Sequence, residues 1–361
     1  MFVHRNVFNF FLILIGSLIA QAAFANQTIA ESPNHHNLVI LQYHHVSSDT
    51  PASTSVSTAV FESHMALLSE GYKVVDLSSA LKKIQNGQAL EDKSVAITFD
   101  DGYTNILENA HPILSKYNFP YTVFINPSII GESSAQLTWE QVKSMQDLAT
   151  FANHTLDHAH LLARNPNESS EQVLKRSMNN IEMAENIISD NIGYSKKWLA
   201  YPYGEFNLRL KNALLDAGYI GFGQQSGAVS RMSDFGALPR FPAAGVYANI
   251  NSLKVKLNSL AMPVTQLTPA KVEFSSGEEI TGFTLTVKPK DIKMGQFACY
   301  FQGKTLELDI AESSVNIKLP FTMKAGRMRV NCTAPSKQLS NRYYWFSHAM
   351  FTATESGEFL D

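Results

Sequence analysis

The sequence predicts an α/β fold with a parallel sheet or barrel, followed by a small all-β domain. Between residues 38 and 265, short apolar runs alternate with amphipathic stretches of helical length, which is the pattern of repeated βα units. From about Thr268 onward, short runs with period-two alternation follow one another across polar turns, which favours antiparallel strands. The 361 residues suffice for one large and one smaller domain, which we assign to residues 38–265 and 266–361.

The N-terminus has the features of a secretory signal peptide. Arg5 precedes a mostly apolar stretch at residues 8–20, and residues 23–25 fit the small-x-small cleavage pattern. The apolar stretch is short for a membrane-spanning helix, although an uncleaved anchor is the alternative. We therefore expect a signal peptide over residues 1–25, a polar linker over residues 26–37, and an exported protein, periplasmic or secreted, without a membrane anchor.

Strands and helices alternate through the larger domain. Catalytic groups of parallel α/β proteins gather at the carboxyl ends of the strands, so residues that follow a strand are candidates for a site. Four candidates stand at such positions: His44, Asp100, His154 and Tyr203. The predicted strands cover residues 38–43, 94–99, 121–125, 150–153, 220–223 and 238–241, with another starting at residue 198, and the predicted helices cover residues 106–114, 138–145, 173–188 and 208–215.

Two adjacent carboxylates and a glycine, Asp100, Asp101 and Gly102, end the strand at residues 94–99. Side chains alternate across a strand, so neighbouring acids at its end can point in different directions and take different roles. One can bind a metal while the other transfers a proton, and burying both is costly unless other groups compensate their charge. The alternative is an ordinary Asp-Asp-Gly turn at a strand end.

A second polar segment, His154-Thr155-Leu156-Asp157-His158, follows the strand at residues 150–153. Neutral imidazoles are the commonest metal ligands in proteins, although two solvated histidines would show the same spacing. No long apolar period surrounds the pair, which favours a loop. Together with a carboxylate from another strand end, the pair predicts a zinc site with open positions for water and substrate. A third strand runs into the turn at residues 201–204, where the Tyr203 N–H is placed to point into the site.

In this order, the three segments resemble the motifs of the polysaccharide deacetylase family, metal-dependent hydrolases that remove N-acetyl groups from sugar polymers. The matching residues are 98–102, 154–158 and 201–204. Residues 43–46, Tyr-His-His-Val, resemble the branch that includes exopolysaccharide (poly-N-acetylglucosamine) deacetylases. The resemblance covers roughly residues 38–262 and implies a deformed (β/α) barrel.

The resemblance also implies roles for the motif residues. Asp101, His154 and His158 would hold a divalent metal, for which zinc is the expected ion. Asp100 would take a proton from the attacking water, and the Tyr203 N–H would stabilise the developing oxyanion.

Two positions depart from the family pattern. The third motif usually carries an arginine two residues before its proline, where this chain has Ala200. Arg240, on a late predicted strand, is expected to take the place of that arginine and orient Asp100. The alternative is that Arg240 is a solvated surface residue. The usual late histidine, which acts as general acid, is also absent.

A residue of the first strand can replace one lost from the last, because a barrel is circular. His44 closes the first predicted strand and is expected to return a proton to the leaving sugar amine, with His45 as the alternative. Tyr203, Trp139 and Phe206 are candidates for contact with sugar rings, and each can equally be a packing residue.

The smaller domain contains both cysteines, Cys299 and Cys332, each within a predicted strand. Since an exported protein meets an oxidising compartment, we expect a disulfide between them; two buried free thiols are the alternative. Neither cysteine has a metal-ligand partner nearby in the sequence. The aromatic run at residues 343–346 is interpreted as the core and edge of a last strand, with stacking on sugar rings as the alternative.

The formal net charge of −3 argues against a nucleic-acid binder, which normally has a basic excess.

From the motifs and the resemblance together, we expect an exported metal-dependent hydrolase that removes N-acetyl groups from a polysaccharide containing N-acetylglucosamine. Two alternatives are a hydrolase of a non-sugar amide bond and a carbohydrate-binding protein whose catalytic site has decayed. The intact acid pair and His-x-x-x-His argue against decay.

Overall fold

In the computed structural model of the chain, residues 1–2 and 36–360 are described, and residues 36–360 belong to one unit. The predicted signal peptide beyond its first two residues, and the predicted linker up to residue 35, lie outside the described residues. Among the helices that the structure describes, none combines the length and apolar character needed to cross a membrane.

Parallel strands form the centre of the first half of the chain. An eight-stranded sheet has the order β10-β1-β5-β6-β7-β8-β9, with β4 beside β5, and all of its pairings are parallel; β2 and β3 pair separately. The strands are β1 (Leu38–Tyr43), β2 (His45–Val46), β3 (Ser55–Val56), β4 (Lys73–Val74), β5 (Ser94–Phe99), β6 (Tyr121–Ile125), β7 (Ala149–Asn153), β8 (Trp198–Ala200), β9 (Ile220–Phe222) and β10 (Phe241–Pro242).

The segment before β10 closes the sheet. Leu238 bridges Phe222 of β9 in parallel, and three residues later Phe241 pairs with Leu41 of β1. The stretch from Leu238 to Phe241 therefore connects β9 to β1 and closes the sheet. The predicted deformed (β/α) barrel is confirmed.

Alternation along the strands sets the direction of the site residues. Ile40 and Ala96 belong to one apolar cluster, whereas Leu41 and Ile97, their neighbours in sequence, belong to another. Asp100 lies four residues after Ala96, so its side chain points to the same side of the sheet as Ala96, which is the inside of the barrel.

Helices surround the sheet, and all of them except the one at His111–Tyr117 begin at a side-chain cap. A capping box at Thr138, with Gln141 as its partner, starts the helix predicted there, and a second one formed by Ser169 starts the longest helix. Gly193 ends that helix in the left-handed conformation. The helices are α1 (Thr58–Gly71), α2 (Leu77–Gln85), α3 (His111–Tyr117), which a π-helical turn at Ile106–Ala110 precedes, α4 (Trp139–Ser144), α5 (Ser170–Ile192), α6 (Leu208–Asp216) and α7 (Ile250–Leu257).

Two further sheets form the C-terminal lobe. One has the order β11-β20-β19-β15-β16 with β13 beside β20, and the other has the order β12-β14-β18-β17. Pairings are antiparallel except those of β11 and β13 with β20. Both sheets contribute to one apolar core, so the predicted sandwich-like domain is present. The strands are β11 (Ser259–Ala261), β12 (Val264–Thr268), β13 (Glu273–Phe274), β14 (Glu279–Val287), β15 (Ala298–Phe301), β16 (Lys304–Thr305), β17 (Glu307–Ile310), β18 (Ser314–Thr322), β19 (Gly326–Pro335) and β20 (Tyr343–Thr352).

The predicted disulfide is present. Cys299 on β15 lies directly opposite Cys332 on β19, and the two sulfur atoms are bonded. Both cysteines are fully buried in the core of the C-terminal lobe.

Aromatic residues join the C-terminal lobe to the barrel. Phe206, a candidate for sugar contact, is buried and packs edge-on against Phe351 of β20 at 5.5 Å between ring centroids. Trp345, within the aromatic run, packs against Phe241 of β10 at 5.3 Å. These side chains therefore serve packing, and Trp139, partly buried, also lies against the core of the barrel.

Candidate active site

Asp100 forms a buried ion pair at the carboxyl end of β5. Arg240 Nη1 and Nη2 donate to its two carboxylate oxygens at 2.6 and 2.8 Å, and Gln42 Nε2 donates to Oδ2 at 2.7 Å. The Arg240 Nε also donates to the Gly223 carbonyl at 3.0 Å. Neither Asp100 nor Arg240 is exposed, so Arg240 is not a solvated surface residue. Arg240 therefore lies against Asp100.

The charge of Arg240 determines the ionisation of Asp100. Burial alone raises the pKa of a carboxyl group, because it disfavours the charged form. The adjacent guanidinium, helped by His154 and His44, more than offsets this effect and holds the pKa of Asp100 below its ordinary value. A bidentate pair with arginine also fixes the plane of the carboxylate. Asp100 is thus an ionised carboxylate held in one orientation.

Asp101, His154 and His158 come together at the same rim of the barrel. Asp101 Oδ1 lies 3.2 Å from His154 Nε2 and 3.4 Å from His158 Nε2. Their ligand atoms all lie within 4.8 Å of one another, and among the described residues this is the one group of three or more such side chains. Asp101 Oδ1 and His154 Nε2 are both buried without a hydrogen-bond partner. Two buried polar atoms that face each other in this way fit a shared metal ion.

Backbone carbonyls orient the first of the two histidines. His154 Nδ1 lies 2.7 Å from the Ala200 carbonyl oxygen, to which it can only donate, so Nε2 is free to act as a ligand. Asn126, just after β6, donates to the carbonyl oxygens of His154 and, at 3.2 Å, of Thr155. His154 is therefore held on both sides by neighbouring strand ends.

The charges of the cluster shift the pKa values of its members. Burial tends to raise the pKa of Asp101, but His154, His44 and His158 lower it by more, so it lies well below its ordinary value. Burial is the main cause that lowers the pKa of His158 to about 4. Asp101 is therefore ionised and His158 neutral near neutral pH, which are the forms that bind metals.

Residues of the left-handed backbone region concentrate at this rim. The φ angles are 73° at Asp101, 71° at Thr155, 60° at His158 and 56° at Tyr203. Each non-glycine residue in this region costs free energy, and such positions cluster at functional sites.

Tyr203 lies in a 3₁₀ turn, Pro202–Gly204, after β8. Its ring is stacked on His160 at 3.9 Å between centroids and meets the ring of His158 at 4.6 Å. His160 Nδ1 in turn lies 2.8 Å from Glu205 Oε2. Tyr203 is therefore adjacent to the candidate metal ligands.

The two candidates for the general acid face different surroundings. His44 Nε2 lies 3.8 Å from Asp100 Oδ2, and its side chain is 18% exposed. His45 is instead stacked on Tyr103 at 3.7 Å between ring centroids, and its Nδ1 accepts from Asn105 Nδ2 at 2.9 Å. Burial lowers the pKa of His45 to about 4. The structure therefore brings His44, and not His45, beside Asp100.

Sequence reasoning missed several residues that hold the site. Gln42 interrupts an otherwise apolar strand, and Asn126 follows a predicted strand at the same rim, so both carried a signal. Glu205 directly follows one recognised motif and His160 lies two residues after another, but their pairing joins segments 45 positions apart.

Comparison with known proteins identifies the family. The family model for polysaccharide deacetylase matches residues 87–221. YxkH of Bacillus subtilis (strain 168), a protein assigned as a polysaccharide deacetylase, is 33% identical over 208 residues, or 56% of this chain and 70% of that protein. The poly-β-1,6-N-acetyl-D-glucosamine N-deacetylase of Staphylococcus aureus (strain MRSA252) is 31% identical over 206 residues, or 55% of this chain and 71% of that protein.

Solved structures show the same fold. The Streptococcus pyogenes deacetylase PplD aligns with a TM-score of 0.55 at 22% identity, covering 62% of this chain and 99% of that one. IcaB from Ammonifex degensii aligns with a TM-score of 0.54 at 20% identity, covering 62% of this chain and 98% of that one. From its sequence relatives and its barrel together, the chain belongs to the polysaccharide deacetylase family and is a hydrolase of carbon–nitrogen bonds other than peptide bonds.

Proposed function

We propose that the chain is a metal-dependent N-deacetylase of a polysaccharide that contains N-acetylglucosamine. The observation that carries this proposal is the position of the Asp101, His154 and His158 cluster directly beside the buried pair of Asp100 and Arg240. The substrate named for the S. aureus relative, poly-β-1,6-N-acetyl-D-glucosamine, supports this substrate class.

The metal ligands would be Asp101 Oδ1, His154 Nε2 and His158 Nε2. One carboxylate and two imidazoles suit a catalytic zinc ion with open coordination positions, and two of these three atoms are buried without another partner. When bound, such an ion would polarise the acetyl carbonyl and lower the pKa of water.

Asp100 would accept the proton of the attacking water. Both of its oxygens are held by Arg240, which keeps the carboxylate ionised and fixed in direction. The Tyr203 N–H would donate to the oxygen of the acetyl group as negative charge develops there. His44, close to Asp100 and partly exposed, would give a proton to the departing sugar amine.

An exported location, in the periplasm or outside the cell, is part of the proposal. It is supported by the signal-like pattern of residues 1–25 and by the disulfide between Cys299 and Cys332, because structural disulfides persist in oxidising compartments.

Acetate release by the purified chain tests the proposal. The substrates would be oligomers of β-1,6-linked and β-1,4-linked N-acetylglucosamine, peptidoglycan fragments and small non-sugar acetamides, each with and without a chelator. We expect acetate from one or more of the glucosamine polymers, loss of activity with the chelator and recovery with added zinc. The Asp101→Asn variant provides the matched control.

Two outcomes would contradict the proposal. Acetate from the small acetamides but from none of the polymers would identify the enzyme as a hydrolase of non-sugar amides. If a chain loaded with metal released no acetate from any substrate, the proposed activity would be wrong, and the alternative of a carbohydrate-binding protein would be favoured.

A further inference from the structure

The C-terminal lobe places an arginine against the edge of the candidate active site. Arg327, the second residue of β19, has its guanidinium carbon 5.0 Å from the centre of the Tyr203 ring. Its Nη1 lies 3.7 Å from Glu205 Oε1. Arg327 therefore contacts the turn of the third motif, although it lies outside the residues that match the family model.

The Tyr203 ring is enclosed on several sides. One face is stacked parallel to His160 at an interplanar angle of 4°, and the ring meets His158, a proposed metal ligand, at 66°. Arg327 adds a cation over the same ring, an arrangement that is attractive because aromatic faces are electronegative. These contacts leave little freedom for the turn that carries the Tyr203 N–H.

The charge of Glu205 gives Arg327 a second partner. The Glu205 side chain is fully buried, its Oε2 pairs with His160, and its Oε1 makes no hydrogen bond. A buried carboxylate requires a compensating charge nearby. Arg327 supplies that charge from the C-terminal lobe. Because Glu205 directly follows the turn that contains Tyr203 and Gly204, this pairing also holds the end of the turn.

We infer that Arg327 is a positioning residue for deacetylation, through which the C-terminal lobe becomes part of the catalytic unit. It acts by fixing the turn at Tyr203, whose N–H faces the acetyl oxygen in the proposed function, on which this inference rests. Since the N–H acts on charge that develops in the transition state, loosening the turn should lower kcat rather than raise KM. Small misplacements of such groups reduce rates strongly.

Variants of Arg327 test the inference in the full chain. We expect Arg327→Gln and Arg327→Ala to lower kcat on N-acetylglucosamine oligomers by roughly ten- to a hundredfold, with KM and bound metal within about twofold of the parent. Arg327→Lys keeps the charge and should retain kcat within about threefold. Arg329→Ala is the matched control, since Arg329 lies two residues further on β19 and donates to the Gln224 carbonyl at 3.1 Å.

Several outcomes would overturn the inference. Parental kcat in Arg327→Gln would show that the turn does not need the arginine. Equal losses of kcat in Arg327→Gln and Arg329→Ala, with matching losses of thermal stability, would show only a weakened contact between lobes. A loss of kcat in Arg327→Lys as large as that in Arg327→Gln would exclude a role for the charge. Failure of the proposed function would appear separately, as a parent chain that releases no acetate.

Discussion

Asp100 and Asp101 are neighbours in sequence with different chemical surroundings. Asp100 faces the inside of the barrel, where Arg240 and Gln42 donate to it. Asp101, with its φ of 73°, turns instead toward the imidazoles of His154 and His158. The surroundings of each carboxylate, rather than its residue type, are therefore the basis on which the proposed function gives proton transfer to Asp100 and metal binding to Asp101.

Substitution of the two acids should separate these roles. We expect Asp101→Asn to lose both metal and activity, because a neutral amide is a poor ligand for a dication. Asp100→Asn should retain metal and lose roughly a hundred- to ten-thousandfold in turnover, the usual range for a general base. Bound metal and acetate release, measured on each purified variant, check both expectations. Nearly parental activity in Asp100→Asn would exclude Asp100 as the base.

The burial of Asp100 and Arg240 should make the stability of the chain depend on keeping both partners, which the sequence alone did not indicate. Both side chains are fully buried, so removing one partner leaves an uncompensated charge. We expect Arg240→Met to lower the free energy of unfolding by about 3–5 kcal/mol. The double variant Asp100→Asn/Arg240→Met should recover part of that loss in urea denaturation. A double variant no more stable than Arg240→Met alone would contradict this account.

At the scale of elements, the loops after β5, β7 and β8 combine left-handed residues with site residues. Gly102 follows Asp101 at φ 71°, and a Cβ atom added there would lie 2.9 Å from Ile125 Cγ2. The loop after β5 is thus fixed by a contact with β6, at which only glycine fits without displacement.

Substitution of Gly102 should therefore affect both stability and metal binding. Gly131→Ala is a matched control, since Gly131 has φ 82° and nothing within 4 Å of an added Cβ. Both variants should lose about 1 kcal/mol or more from the backbone conformation, and Gly102→Ala should lose more. Only Gly102→Ala should weaken metal binding, because its loop carries Asp101. Equal effects of the two substitutions on metal titrations would show that the contact with Ile125 is unimportant.

At the scale of the whole molecule, the barrel and the C-terminal lobe share apolar contacts. Strand β11 lies on the barrel side of the predicted boundary at residue 265, yet it pairs with β20. Phe206 and Tyr201 belong to the same buried cluster as Phe351. Arg342 of the C-terminal lobe pairs with Asp92, just before β5.

Truncation after residue 265 should therefore disrupt the barrel. Loss of β20 leaves β11 without its partner strand and exposes the apolar surface of Phe206, which favours aggregation. We expect the full chain to unfold in a single thermal transition, and the truncated chain to be insoluble or to melt at a much lower temperature. A soluble truncated chain with the parental melting temperature and activity would show that the lobes fold independently.

The resemblance to the family implied the barrel, whereas the sequence by itself determined the repeated βα units, the sandwich-like lobe, the disulfide and the motif order. Each has a local signature: alternation along a strand, a helical period, or a polar residue where a strand ends. Carboxyl ends of parallel strands meet at one rim, so Asp101, His154 and His158 could be expected together before any distance was known.

Only the tertiary structure decided which distant side chains complete the site. Arg240 reaches Asp100 across 140 positions, His44 rather than His45 faces that carboxylate, and Arg327 meets Tyr203 from the other lobe. No local period encodes such contacts, because they depend on how strands close into a barrel and how two cores pack. The chemical type of each site residue could be predicted from the sequence, whereas the residue that it contacts was decided by the packing of the strands and the two lobes.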